Sequence, residues 1–273
     1  MDYTCNSAFS DAAGCTGPGT RVVCLRAAPA ADLIAAARTH PTSGPAFGDG
    51  LLPARPSQAI GSGTWHKVPI LIGSDRAESR FFVALTQPHL TAQEYTEQID
   101  ASYGEAAQQV LAHYPVTAYP SPYDALSAVL TDSTFACHTL STAQTFASQV
   151  PTYAYESDDR QSPTLYGAQV PGLDMADAHS AELAYLHDFT MSDDRPLSAG
   201  QIALGDDMKR RWAAFARTGD PDLPGETRWP PAHVPHTVLT LAPGHTRTST
   251  AFAADHQCDF WAGPAFHDAE KRA

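Results

Sequence analysis

Three short apolar runs set the frame for this chain: VPILIGSD at 68–75, VPTYAYESDD at 150–159 and HTVLTLAP at 236–243. The first is apolar without helical periodicity and is ended by Gly, Ser and Asp, as expected of a buried strand. The second places Tyr at alternate positions among β-forming residues. Helical patterns fill the intervals. APAADLIAAARTH (28–40) precedes the first strand. Thr91 and Glu94 form a capping box that opens a helix to about Tyr103. Residues 104–115 form a second helix stopped by Pro115. Ser121 caps a third, to Leu130, with Pro122 at its first position. A fourth covers Cys137–Gln149. Residues 199–218 form a long amphipathic helix, ended by Gly219 and Pro221. Strands that alternate with helices predict an α/β fold, here with a helical insertion between the first two strands.

The chain has 273 residues, enough for one large domain or two small ones with a sizeable core. Its net charge of −13 disfavours a nucleic-acid partner, which would need a basic face. No apolar run approaches the ~20 residues that span a bilayer. The opening MDYTCNSAFS lacks the basic and apolar regions of a signal peptide. Five cysteines (Cys5, Cys15, Cys24, Cys137 and Cys258) show no metal-ligand spacing, so no zinc or other metal site is expected. Disulfides are open to them, and would place the chain in an oxidising compartment.

In open α/β sheets reactive groups lie on loops beyond the C-terminal ends of strands. Two such loops carry candidates. SDRAESRFF, after the first strand, holds Glu78. The loop after the second holds His179, which opens the stretch HSAELAYLHDF with a helix-like apolar run behind it. A carboxylate can fix the tautomer of a histidine and stabilise its charged form, leaving it poised as a general base. Spacing alone does not single out this pair from the twelve histidines and thirty acidic residues present.

Further motifs do. GCTGPGTRVVCLR, AFGDGLLPARPSQAI, GSDRAESRFF, TDSTFACH, MADAHSAELAYLHDF, RRWAAFARTGDPD followed by RWPP, and HQCDFW occur in this order from about Gly14 to Trp261. Together they resemble the C-terminal half of the type-B carboxylesterase and cholinesterase family. The resemblance implies a single partial α/β-hydrolase domain over residues 1–273, with a mostly parallel sheet. It places the acid of a catalytic triad on Glu78 and the base on His179, and sets Phe81 and Phe82 among substrate-lining aromatics. It pairs Cys15 with Cys24 and Cys137 with Cys258, leaving Cys5 over, and implies a secreted protein that needs no cofactor. The chain departs from the family at Ala77 and Ser79 beside the acid, and at Ala176 and His187 near the base. Glu182, three residues past His179, is expected to be a structural carboxylate.

The family's nucleophile sits in Gly-x-Ser-x-Gly on a strand-to-helix turn. No serine of this chain is flanked that way, and there is no Gly-Gly dipeptide of the kind that builds the family's oxyanion loop. The expectation is therefore a carboxylic-ester hydrolase represented by the half that carries acid and base. The nucleophile elbow would lie in a missing N-terminal half, and the isolated chain would be inactive on its small-molecule ester substrate. The alternatives are a non-catalytic cholinesterase-like binding or adhesion module, or a truncated fragment without function.

Overall fold

The three apolar runs become neighbouring strands of one sheet. The computed structural model describes residues 4–17, 19–40, 47–48, 50–87, 89–164, 173–187, 196–234 and 237–267, with side chains from Ser7 onward. Strand β1 (Ile70–Asp75) pairs in parallel with β2 (Thr152–Ser157), and β2 in parallel with β3 (Val238–Leu241). An antiparallel strand, β4 (Arg247–Ser249), completes the order β1-β2-β3-β4. The sequence reading contains no β4, since its three polar residues carry no apolar signal. β1 ends the sheet, with no further strand beside it among the described residues.

The chain divides into two compact units, residues 1–65 and 66–273. The first holds α1 (Thr4–Ala12), α2 (Arg21–Ala27), α3 (Ala30–Thr39) and α4 (Pro56–Ser62). Only α3 is foreseen from sequence. The polar, Gly-rich stretch 1–26 folds into two helices, and α2 buries none of its residues. A Cys15–Cys24 disulfide anchors α2 instead. Asp49 of the Asp-Gly loop and the side chain of Cys5 lie outside the described residues.

The second unit places α5 (Ser79–Thr86), α6 (Ala92–Tyr103), α7 (Ala107–His113), α8 (Pro122–Leu130) and α9 (Cys137–Ala147) between β1 and β2. Between β2 and β3 come α10 (Leu183–Leu186) and α11 (Ala199–Thr218); α12 (Phe252–Asp255), α13 (Cys258–Trp261) and α14 (Pro264–His267) follow β4. Alternation along the strands sorts the core into two faces. Ala154 and Val238 pack with Leu140 and Ala143 of α9. Tyr153, Leu239 and Leu241 pack with Leu204 and Met208 of α11 and with Trp229. The result is a mixed α/β arrangement with helices on both faces of a mostly parallel sheet. Gly73 on β1 is required by this packing, because a Cβ there would run into the ring of Tyr155 on β2.

Two local readings are corrected. Residues 79–86 are the helix α5, where the sequence suggests a loop after the first strand. No side chain caps α5, so its start leaves no mark in the sequence. The apolar run after His179 yields only the single turn α10. Between α8 and α9, residues Thr131–Ala136 form a turn of π-helix.

That turn feeds a buried polar network. Asp132 accepts from His256 Nδ1 at 2.6 Å, and Glu156 on β2 accepts from Nε2 at 2.9 Å. Tyr114 donates to Asp132 at 2.8 Å, and Trp261 Nε1 donates to Tyr114 at 2.7 Å. Arg76 reaches both oxygens of Glu156. Burial alone would lower the His256 pKa. Its hydrogen bonds to Asp132 and Glu156, and the charges of those groups, override burial and hold it at about 9.

Next to this network a second disulfide joins Cys137 at the start of α9 to Cys258 at the start of α13, 121 positions apart. Closing so long a loop restricts the unfolded chain and contributes about 5 kcal/mol in the chain-entropy model. Replacing both cysteines by alanine is expected to lower the unfolding free energy by roughly that amount, read from urea titration. A change below about 1 kcal/mol would mean the unfolded chain is already restrained there.

Candidate active site

Glu78 and His179 lie 101 positions apart, and the parallel pairing of β1 with β2 brings their loops together above the sheet. β1 ends at Asp75, and three residues later Glu78 opens α5. The Glu78 carboxylate is buried. Its Oε1 accepts from the Asp75 backbone N–H at 2.9 Å, and its Oε2 lies 2.6 Å from His179 Nδ1. A second link runs along the main chain, where the His179 N–H donates to the Glu78 carbonyl at 3.2 Å. Acid and base are thus coupled through both side chain and backbone.

The histidine loop is held in an unusual backbone. Asp177 has φ 55° and Ser180 has φ 70°, both in the left-handed region that non-glycine residues rarely occupy. Several bonds hold it there. Ala77 N–H donates to the Asp177 carbonyl at 3.0 Å, and Asp177 N–H donates to Ser162 Oγ at 2.7 Å. On the far side, the Tyr185 hydroxyl of α10 donates to Asp159 at 2.6 Å and docks the loop against the end of β2.

The hydrogen bond that His179 donates to Glu78 raises the His179 pKa above the ordinary imidazole value; partial burial opposes this, and the charges of Glu78 and Glu182 add to it. With a carboxylate accepting at Nδ1, the neutral ring keeps its proton there and Nε2 carries the basic lone pair. The ring is about two-fifths exposed, with a side-chain relative accessibility of 39%. Nε2 has no hydrogen bond among the described residues.

Phe81 and Phe82 flank this ring, with centroids 6.3 and 5.0 Å from it. Phe81 also packs with Leu173 and Met175, so it serves both the core and the site. Phe82 stacks on Phe135, whose own centroid is 5.8 Å from His179. Phe135 stands on the π-turn and escapes sequence reasoning, because nothing in TDSTFACH says which face of a helix it will occupy. A small hollow beside His179 is lined by Phe81, Pro163, Thr164, Met175, Ala178 and Ala181.

Behind the pair lies a cluster of acids. Burial pushes the Asp75 carboxyl well above the usual carboxylate range, reinforced by Glu182 and Glu78. Asp177 is pushed up to about 8, by burial first and then by Asp158. Glu182 caps no helix with its side chain, and it faces Asp75. Among the described residues no group of His, Cys, Asp and Glu is arranged to hold a metal ion, and no helix is long and apolar enough to cross a membrane. The two disulfides are compatible with an extracellular location.

This arrangement can shuttle a proton. A basic Nε2 opens on a partly exposed ring beside a small hollow, and its imidazolium is stabilised from behind by a buried carboxylate. A family model described as the carboxylesterase family matches residues 3–261 and so spans both compact units.

Proposed function

Because the chain belongs to the carboxylesterase family, we propose that it supplies the acid and base of a serine carboxylesterase with an α/β-hydrolase fold, and that the nucleophile and oxyanion donors lie in polypeptide outside these 273 residues. The observation that carries this reading is the 2.6 Å contact between Glu78 Oε2 and His179 Nδ1, which leaves Nε2 open. In the first half-reaction Nε2 takes the proton of the serine hydroxyl as its oxygen attacks the ester carbonyl. The proton then passes to the departing alcohol, and an acyl-enzyme remains. Water then attacks the acyl carbonyl as Nε2 takes its proton, and that proton passes to the departing serine oxygen, releasing the carboxylic acid and restoring the hydroxyl. Glu78 keeps its negative charge throughout and stabilises the imidazolium in both halves. Phe81 and Phe82 beside the ring favour an uncharged, apolar group on the ester. The disulfides support a secreted enzyme.

The test compares this chain with a version extended by the polypeptide encoded upstream of Met1. The 273-residue chain is expected neither to hydrolyse 4-nitrophenyl butyrate nor to be labelled by a fluorophosphonate. The extended protein should do both, with the label on a serine outside these residues. Labelling within residues 1–273 would relocate the nucleophile. An inert extended protein with Glu78 and His179 intact would favour a non-catalytic binding module.

A further inference from the structure

Two left-handed residues beside a catalytic base raise the question of what holds that loop in place. The two main-chain bonds from Ala77 and His179 link it to the Glu78 turn. A third tie comes from Arg80, on the first turn of α5. Its Nη1 donates to the Ala176 carbonyl at 2.9 Å, one residue before Asp177. The same nitrogen lies 3.6 Å from Asp174 Oδ2, and Asp174 Oδ1 accepts from the Ala176 N–H at 3.0 Å. The turn 174–176 is therefore held at its carbonyl and at its carboxylate by one guanidinium. The other arm, Nη2, lies 3.6 Å from Asp124 Oδ1 on α8. Asp124 is buried, and its second oxygen accepts from Ser121 Oγ at 2.6 Å, so α8 offers a fixed anchor.

We infer that Arg80 is a positioning residue, a clasp between α5, α8 and the 174–176 turn that keeps His179 Nδ1 in register with Glu78. It touches neither the reacting atoms nor the hollow. Its fork is required because it must meet a carbonyl and two carboxylates on different elements at once. A lysine ammonium, a single point of charge, cannot span them together. Without the clasp the left-handed backbone at Asp177 and Ser180 loses its tie to α8 and can relax within its remaining bonds, since such residues persist only where surrounding contacts over-determine them. Relaxation would lengthen the short Glu78–His179 hydrogen bond, which is set by loop position.

This inference rests on the dyad reading above, but its test does not need the nucleophile. The probe is the far-downfield Nδ1 proton of His179 in NMR spectra of the 273-residue chain, together with the ring's titration, both assigned by their loss in His179→Gln. In Arg80→Met the downfield resonance should disappear and the His179 pKa should fall toward the ordinary imidazole value, while the remaining amide spectrum stays dispersed. Arg80→Lys should recover part of the titration shift without restoring the resonance. Asp174→Ala removes the carboxylate from the turn's side of the clasp, together with its bond to the Ala176 N–H, and leaves Arg80 on the Ala176 carbonyl and on Asp124. It should weaken the resonance too, and it serves where Arg80→Met fails to fold.

An unchanged resonance and pKa in Asp174→Ala, or in a folded Arg80→Met, would overturn the inference and leave Arg80 as an ordinary ion pair. If the clasp variants behave as expected while the extended protein hydrolyses no ester, the positioning role stands and the esterase reading fails. If the extended protein is active and the variants leave His179 untouched, the reverse holds.

Discussion

Exchanging Glu78 for glutamine is expected to lower kcat for ester hydrolysis by about 10⁴-fold in the nucleophile-bearing protein, with KM little changed. The size of the effect follows from which end of the amide faces which partner. The Asp75 backbone N–H donates to Glu78 Oε1, so a glutamine must present its oxygen there. Its NH₂ then points at His179 Nδ1, the atom now 2.6 Å from Oε2. An amide donor at that place makes Nδ1 an acceptor and drives the ring proton to Nε2. The lone pair that would take the serine proton is gone, and the carboxylate that stabilises the imidazolium has gone with it. The tautomer can be read directly from ¹⁵N shifts of the imidazole, in the 273-residue chain as well.

The wild-type pH profile follows from the same bond. His179 must be neutral to act as a base, and Glu78 raises its pKa above the ordinary value. The acidic limb of kcat/KM should therefore lie above pH ~6.5 and move down in the glutamine variant. A Glu78→Gln enzyme retaining near wild-type kcat would remove Glu78 from the mechanism.

The second large effect is on stability. Replacing His256 by alanine is expected to cost about 3–5 kcal/mol, because it strips one partner from two buried carboxylates. Arg76 still reaches Glu156 and Tyr114 still reaches Asp132, so the loss falls short of isolating either charge. Both ring nitrogens of His256 face carboxylates, an arrangement that favours the doubly protonated ring. Its folded pKa of about 9 lies above the unfolded value near 6.5. Its stabilisation is therefore complete below about pH 6.5 and is lost as pH rises through about 9. Urea titrations at pH 6 and pH 10 should show a fall for the native chain, and a smaller fall for His256→Ala. A variant within about 1 kcal/mol of the parent at pH 6 would mean the ring is not charged in the folded protein.

How much of this was legible in the sequence depends on where each signal resides. Helices with their own caps were readable almost to the residue. Thr91 and Glu94 do form the capping box of α6, and Ser198, Gln201 and Gly219 bound α11. β1 and β3 were readable as short apolar runs, and β2 from Tyr at alternate positions among β-forming residues. Elements whose limits are set by distant partners were not. α5 begins at Glu78, whose side chain is committed to His179 and caps nothing. His256 was one histidine among twelve, and only its place two residues before Cys258 hints at burial. The pairing of Glu78 with His179 came from resemblance. No local rule relates positions 101 apart, whereas a parallel sheet does so automatically. Arg80 and Phe135 had no signal at all, since their roles exist only after α5 and α8 pack.

The π-turn at Thr131–Ala136 joins α8 to α9 without a break, so residues 122–147 run as one rod carrying a single local insertion. An α-helix turns about 100° per residue. Deleting one residue from this segment would let the rod close as uninterrupted α-helix, and everything beyond the cut would swing by about that angle. Phe135 would leave the histidine ring and Cys137 would face away from Cys258 at one stroke. A frameshift of rotation, with no change in hydrophobicity, would thus unmake the aromatic wall and the crosslink together. Insertions and deletions here should be far less tolerated than substitutions.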